Sequence, residues 1–350
     1  MRHVSAARWL AARLERGTSN PAARGLAALW AACANPVRPV ALPVGPRLIG
    51  VGGATLGGSG KTTLSAALAE ELRRTGLNVA VVASGYRAGE RTARRVGPRD
   101  SPRAAGDEAA LLSQKLTPLG VPVYVAGRRS DALALAARST PHSIIIDGLL
   151  QSRPVRLDVA LLALDEARPW GAGACPPAGD LRAAKRTLWR AADVILWRGA
   201  RGFEVGPLPT QGPGPVELRW CDAIVGARAE GGALLEPAEL ARLRLGLVLA
   251  LARPDRVERE LARLGVHPQL TLLYADHAAL PAPRARRLGS ARVDAWLTTA
   301  KCATKLGSRF AGAPLLVLEQ GVTLPRELLE ICRGRASGAA LRRGVFEAAP

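Results

Sequence analysis

The run Gly57-Gly58-Ser59-Gly60-Lys61-Thr62-Thr63 constrains this chain more than any other stretch. It follows Arg47-Leu48-Ile49-Gly50-Val51, which fits a buried strand, and precedes Leu64 to Leu72, which is apolar at helical spacing. Strand, glycine loop and helix in that order predict a phosphate-binding loop. Glycines let the backbone fold around a polyphosphate, and amides at the helix start point at its oxygens. Lys61 supplies a charge for the β and γ phosphates, and Thr62 can hold Mg²⁺. Gly57, Gly58, Ser59, Gly60, Lys61, Thr62 and Thr63 are therefore the candidate nucleotide-binding residues. The strict pattern has a glycine five positions before Gly60, where this chain has Thr55, so the match is to the Gly-Lys-Thr half.

A chain of 350 residues can bury a large core, and two domains are expected. Residues 1–35 hold two short helical patterns: Val4 to Leu14 sets arginines against Trp9, Leu10 and Leu14, and Pro21 to Ala34 carries Leu26, Leu29 and Trp30 around small residues. Neither reaches the ~20 apolar residues of a spanning helix. Two readings stand: helices lying at a membrane interface, or helices that cap the domain. Residues 36–200 form the nucleotide domain, opened by the proline-rich connector Pro36 to Pro46. Its strand candidates are Asn78 to Ala83, Val121 to Val125, Ser143 to Asp147, Asp158 to Leu164 and Asp193 to Trp197. Helical segments at Asp107 to Lys115 and Ser130 to Arg138 lie between them. This alternation predicts an α/β fold with a mostly parallel sheet covered on both faces. Residues 201–215 fall in a Gly- and Pro-rich stretch that reads as a linker. Residues 216–335 repeat the α/β pattern on a smaller scale, with strands at Leu245 to Leu251, Leu270 to Tyr274, Val293 to Thr298 and Pro314 to Leu318. A helix runs from Pro254 to Leu264, with Gly265 as its stop. Residues 336–350 are a C-terminal tail.

The formal charge is +20, with five lysines among 49 basic residues. Such a field favours anionic partners. The basic residues are scattered, without a dense block interleaved with aromatics, so nucleic acid is not the expected partner. Five widely spaced cysteines do not form a disulfide framework or a zinc pattern and suit a reducing compartment.

Phosphoryl transfer needs a phosphate cradle, a carboxylate for Mg²⁺ and a group that orients the acceptor hydroxyl. Asp147 ends an apolar strand, where a metal carboxylate sits beside a phosphate loop; a turn cap is the other reading. In Gly106-Asp107-Glu108, Asp107 reads as a helix N-cap and Glu108 as a first-turn acid. The same pair would serve acid–base or metal chemistry if the helix start faces the cleft. Asp276-His277 follows a strand of the second domain, and a carboxylate beside a histidine can orient it.

Taken in order, these segments resemble the tetraacyldisaccharide 4'-kinase family, the lipid A 4'-kinases of Gram-negative bacteria. The resemblance spans most of the chain. It includes the phosphate loop with Thr55, Ser84-Gly85-Tyr86, Gly106-Asp107-Glu108, and Asp147 with Gln151 for the family's Asp-Asp-Gly-Leu-Gln-His. Pro177-Ala178-Gly179-Asp180-Leu181-Arg182 resembles its Pro-Ala-Gly-Pro-Leu-Arg, and Ala252-Arg253-Pro254, Asp276-His277 and Thr298-Thr299-Ala300-Lys301 follow in the family's order. The resemblance implies a P-loop NTPase-type domain with a second, smaller α/β domain. It implies a kinase at the cytoplasmic face of the inner membrane that moves the γ-phosphate of ATP, with Mg²⁺, to the 4' hydroxyl of tetraacyldisaccharide 1-phosphate, an anionic glycolipid, forming lipid IV-A. By positional carry-over Lys61 and Thr62 bind ATP and Mg²⁺, Asp147 holds the metal with Glu108 as a partner, and Asp107 is the base, supported by His277. The chain departs from the pattern where an ungapped alignment turns the second aspartate into Gly148 and the final histidine into Ser152. A one-residue slide instead pairs Asp147 with that second aspartate. Further on, Ala300 and Cys302 replace two acids. Two alternatives stand beside this reading: a nucleotide-binding paralogue with weak or no kinase activity, and a P-loop ATPase switch acting on a protein partner.

Overall fold

The computed structural model describes residues 13–33, 37–85, 88–199, 204–209, 214–274, 276, 280 and 292–335. It forms two compact units, one from Arg13–Cys221 with the segment from Thr323, the other Asp222–Val322. The first helical pattern, Val4 to Leu14, lies outside the described residues apart from its end, and residues 13–16 are helical. Helix α1 (Pro21–Cys33) follows. Asn20 caps it, its Oδ1 accepting from the Ala22 and Ala23 amides at 3.0 and 3.2 Å, with Pro21 at the first helical position.

The larger unit is built on the strands β1 (Arg47–Gly53), β2 (Val79–Val82), β3 (Arg94–Val96), β4 (Val123–Val125), β5 (Ser143–Asp147), β6 (Val159–Asp165), β7 (Val194–Gly199) and the start of β8 (Val216–Arg228). Their order is β8-β7-β6-β1-β5-β2-β4-β3. All neighbours run parallel except β3, antiparallel to β4 at the edge. β5 and β6 are buried along their whole length, which is why they read as continuous apolar runs: helices cover both faces of a parallel sheet. α2 (Lys61–Arg74) buries Leu64, Leu68 and Leu72, and α3 (Asp107–Leu116) buries Leu112 and Leu116. Leu133 and Ala136 of α4 (Arg129–Ala137) pack with Val82, Ile144 and Ile146. Leu188 and Ala191 of α5 (Lys185–Ala191) pack with Leu162, Leu164 and Ile195.

The smaller unit carries β9 (Leu245–Leu249), β10 (Leu270–Leu273), β11 (Ala295–Thr299) and β12 (Ala313–Thr323), with helix α6 (Pro254–Arg263). Its strands are ordered β10-β9-β11-β12 and pair in parallel. Val257 and Leu261 of α6 meet Leu247, Leu297 and Leu316. From Thr323 the chain belongs to the larger unit again. There α7 (Arg326–Arg333) packs on α2, and the Ile331 carbonyl accepts from Arg47 Nη2 at 3.0 Å.

α2 begins at Lys61, directly after the loop's last glycine, which is its cap. Asp107 is not an N-cap: Gly106 holds that place at φ +87, and Asp107 is the first helical residue. Gly199 closes β7, and within residues 201–215 Gly206–Pro207 pairs antiparallel with β8.

Candidate active site

The phosphate loop joins the end of β1 to the start of α2. Within it Gly58 and Gly60 have φ of +79 and +81, the left-handed region that an L side chain rarely adopts. The segment 180–182 clamps the loop. The Leu56 amide donates to the Asp180 carbonyl at 2.9 Å, and the Arg182 amide donates to the Ala54 carbonyl at 2.9 Å. The Arg182 side chain donates from Nε to the Thr55 carbonyl at 2.9 Å and from Nη2 to the Leu56 carbonyl at 3.2 Å. Thr55, standing where the strict pattern has glycine, donates its hydroxyl to the Gly57 carbonyl at 2.7 Å.

Four of the residues singled out from the sequence meet here. Lys61 Nζ donates to Glu108 Oε1 at 2.7 Å and lies 3.7 Å from Asp147 Oδ2. The Thr62 hydroxyl donates to Asp147 Oδ2 at 3.1 Å. Ser65, missed from the sequence, donates to Asp147 Oδ1 at 2.9 Å. Its spacing was the available signal, since Ser65 lies one turn beyond Lys61 and Thr62 on the same helix face. Asp107 stands one position before Glu108 in the first turn of α3, and Thr63 in the first turn of α2, partly exposed. His277 lies outside the described residues. Its sequence neighbour Asp276 pairs with Lys301 at 2.7 Å.

Burial of Asp147, whose side chain is fully enclosed, pushes its carboxyl above the ordinary 3.8; Lys61 and the two hydroxyls oppose this without reversing it. Burial also acts to lower the Lys61 ammonium, but Asp147 and Glu108 outweigh it, and the pKa rises above 10.5. The two upward shifts are compatible because desolvation falls hardest on the fully enclosed Asp147 and Lys61 has two anionic partners. Arg129 and Arg182 also feel these carboxylates. Burial holds both guanidinium groups below the usual arginine value, while Asp147 and Glu108 act to raise them. With Arg38, which both sense, the cluster sets four cationic side chains against two carboxylates. Arg129 sits at a strand-to-helix junction, where periodicity carries no signal for it.

Such a surplus of positive charge suits a polyanion. A hydroxyl and a carboxylate oxygen together at the start of α2 are hard donors of the kind Mg²⁺ takes. That ion is commonly held by one or two carboxylates with phosphate oxygens and water completing its shell. Among the described residues no group of three or more His, Cys, Asp or Glu could hold a metal ion by itself, and such a site needs none. Asp158, exposed just before β6, accepts from the Leu48 amide at 2.8 Å near the start of β1, away from the loop.

The sequence profile of the family described as tetraacyldisaccharide-1-P 4'-kinase matches residues 28–335. A tetraacyldisaccharide 4'-kinase of Dichelobacter nodosus is 32% identical over 288 residues, covering 81% of this chain and 82% of the relative. One from Anaeromyxobacter sp. strain Fw109-5 is 32% identical over 325 residues, covering 86% and 84%. Among solved structures, LpxK from Aquifex aeolicus in complex with ATP superposes with a TM-score of 0.66 at 21% identity, covering 88% of this chain and 96% of that one. That likeness establishes the P-loop kinase-type fold.

Proposed function

The chain belongs to the tetraacyldisaccharide 4'-kinase family, and from that premise we propose that it phosphorylates the 4' hydroxyl of tetraacyldisaccharide 1-phosphate with ATP. The observation that carries this reading is the Lys61, Thr62, Glu108 and Asp147 cluster at the mouth of a clamped phosphate loop. Bound ATP supplies the phosphoryl group, and Mg²⁺ neutralises charge on the phosphates. Lys61, held on Glu108, aims a permanent positive charge at the phosphate chain. Thr62 and Asp147 would hold the metal. Asp107, at the α3 start, would take the proton of the acceptor hydroxyl, with His277 supporting it. Arg129 and Arg182 add fixed positive charge, worth most where water is excluded.

The loss of one family aspartate is compatible with this. Gly148 has φ +82, a conformation glycine adopts without strain, which favours the register pairing it with the family's glycine and Asp147 with the second aspartate. The first aspartate's place then falls on Ile146, buried in the core with Val82 and Leu133. Strand neighbours point to opposite faces, so a carboxylate there would not face Thr62.

We place the reaction at the cytoplasmic face of the inner membrane. No helix among the described residues is long and apolar enough to cross a membrane. α1 nevertheless exposes Leu26 and, about one turn on, Leu29 and Trp30, and has no acidic residue. Arginines at 13, 16 and 24 suit an anionic surface. On this reading 36–200 is the nucleotide domain and 1–35 the membrane-facing segment.

The test is transfer of labelled γ-phosphate from ATP to tetraacyldisaccharide 1-phosphate in detergent micelles with Mg²⁺. Wild type is expected to transfer, and Lys61→Ala and Asp107→Ala to lose transfer. Absence of transfer by wild-type protein that binds ATP would leave a nucleotide-binding paralogue instead.

A further inference from the structure

Arg198 is a buried guanidinium at the phosphate loop that the transfer chemistry above does not use. It lies next to the end of β7 and is 7% exposed. Its register neighbours are Asp165 on β6 and Trp220 on β8. Trp220 is fully buried, and Arg198 Cζ stands 5.6 Å from its ring centroid, within the range of a cation–π contact. Asp165 is also buried, and its Oδ1 accepts from the Ala167 amide at 3.1 Å.

From this seat the side chain reaches the loop itself. A Cβ built on Gly60 would meet Arg198 Cδ at 2.8 Å and Nε and Nη1 at 3.1 Å. Gly60 is the cap of α2 and immediately precedes Lys61. The guanidinium is thus lodged between an indole ring and the α-carbon of the loop's last glycine. An apolar side chain of similar length would fill that seat without the desolvation cost of a charge. The feature an arginine adds is a permanent positive charge on a planar, stackable group, at the helix end where the loop amides also favour anions.

We infer that Arg198 is a positioning residue for the nucleoside triphosphate, bracing Gly60 so that the loop amides meet the phosphate chain and adding fixed charge to the start of α2. It acts through the loop, and the acceptor lipid does not depend on it. This rests on the reading that the loop binds ATP.

Arg198→Met keeps the unbranched stem and removes the charge; Arg198→Lys keeps the charge and removes the planar fork. In the full chain, Kd for ATP by calorimetry over a salt series is measured beside KM and kcat for both substrates and thermal unfolding. Removing the charge is expected to raise Kd and KM for ATP about tenfold or more. It is also expected to flatten the salt dependence of ATP binding, with kcat, the acceptor KM and Tm unmoved and Arg198→Lys intermediate. Unchanged ATP affinity in Arg198→Met overturns the proposal. So does a loss shared equally by kcat, the acceptor KM and Tm, which marks a structural prop. If Arg198→Met does not fold, Arg198→Lys carries the test, and wild-type ATP affinity in that variant overturns it. Wild-type protein that binds no ATP removes the loop reading instead, which separates the two failures.

Discussion

Asp147 has no contact with solvent, and its oxygens take hydrogen bonds from Ser65 and Thr62 with Lys61 3.7 Å away. Its folded pKa lies above the ordinary 3.8 because burial disfavours the charge. A group raised in this way contributes stability below its unfolded pKa and loses that contribution as pH rises through the folded value. Asp147→Asn is therefore expected to be at least as stable as wild type at neutral pH while transferring no phosphate, with denaturant unfolding across the acid-to-neutral range as the check. A variant clearly less stable at neutral pH would mean that the attraction of Lys61 outweighs burial. Gly148 supplies a second residue-scale expectation. An aspartate at φ +82 is strained by about 1 kcal/mol, so Gly148→Asp should lower stability by that order without raising kcat. A Cβ at this position has Arg129 Nη2 as its near neighbour, at 3.7 Å. A gain in kcat would therefore show that a carboxylate facing Arg129 is the missing family aspartate and that the ungapped register holds.

At the scale of elements, α1 carries its apolar stripe outward: Leu26, Leu29 and Trp30 are 58%, 63% and 52% exposed. Replacing all three with serine is expected to abolish sedimentation with vesicles containing anionic lipid and to leave Tm unchanged. Retained sedimentation would assign membrane contact elsewhere. Strands, helices and the loop were legible because β5 and β6 are continuous apolar runs and α2 is periodic, each a direct imprint of two-sided burial. The cap of α3 was misread because aspartate is a common N-cap, yet glycine at φ +87 makes the turn and leaves Asp107 inside the helix. Of the candidate site, Lys61 and Thr62 were legible from motif spacing, Asp147 from its strand-end position and Glu108 from the start of its helix. Arg129 and Arg198 were not, since their roles depend on which strands lie side by side in the sheet. The clamp of Arg182 on the Thr55 and Leu56 carbonyls joins segments more than a hundred residues apart, and local pattern has no access to it.

At the scale of the whole molecule, the five free thiols divide by depth. Cys33 is exposed, Cys221 is half-buried, and Cys175, Cys302 and Cys332 are buried. Burial pushes the Cys332 thiol up to about 12, with Arg47 only partly opposing it. Native protein at mildly alkaline pH is expected to react with a thiol reagent rapidly at Cys33, and at Cys332 only through unfolding, read by mass spectrometry of timed samples. Rapid labelling of Cys332 would mean that α7 opens locally. That helix bears on how the protein is made. The larger unit begins before β1 but is completed only by the segment from Thr323, whose Ile331 carbonyl receives Arg47 from the first residue of β1. A ribosome must therefore synthesise all of Asp222–Val322 before the first strand of the sheet can meet its final partner, so the nascent chain spends most of its synthesis with that seat of Arg47 unfilled.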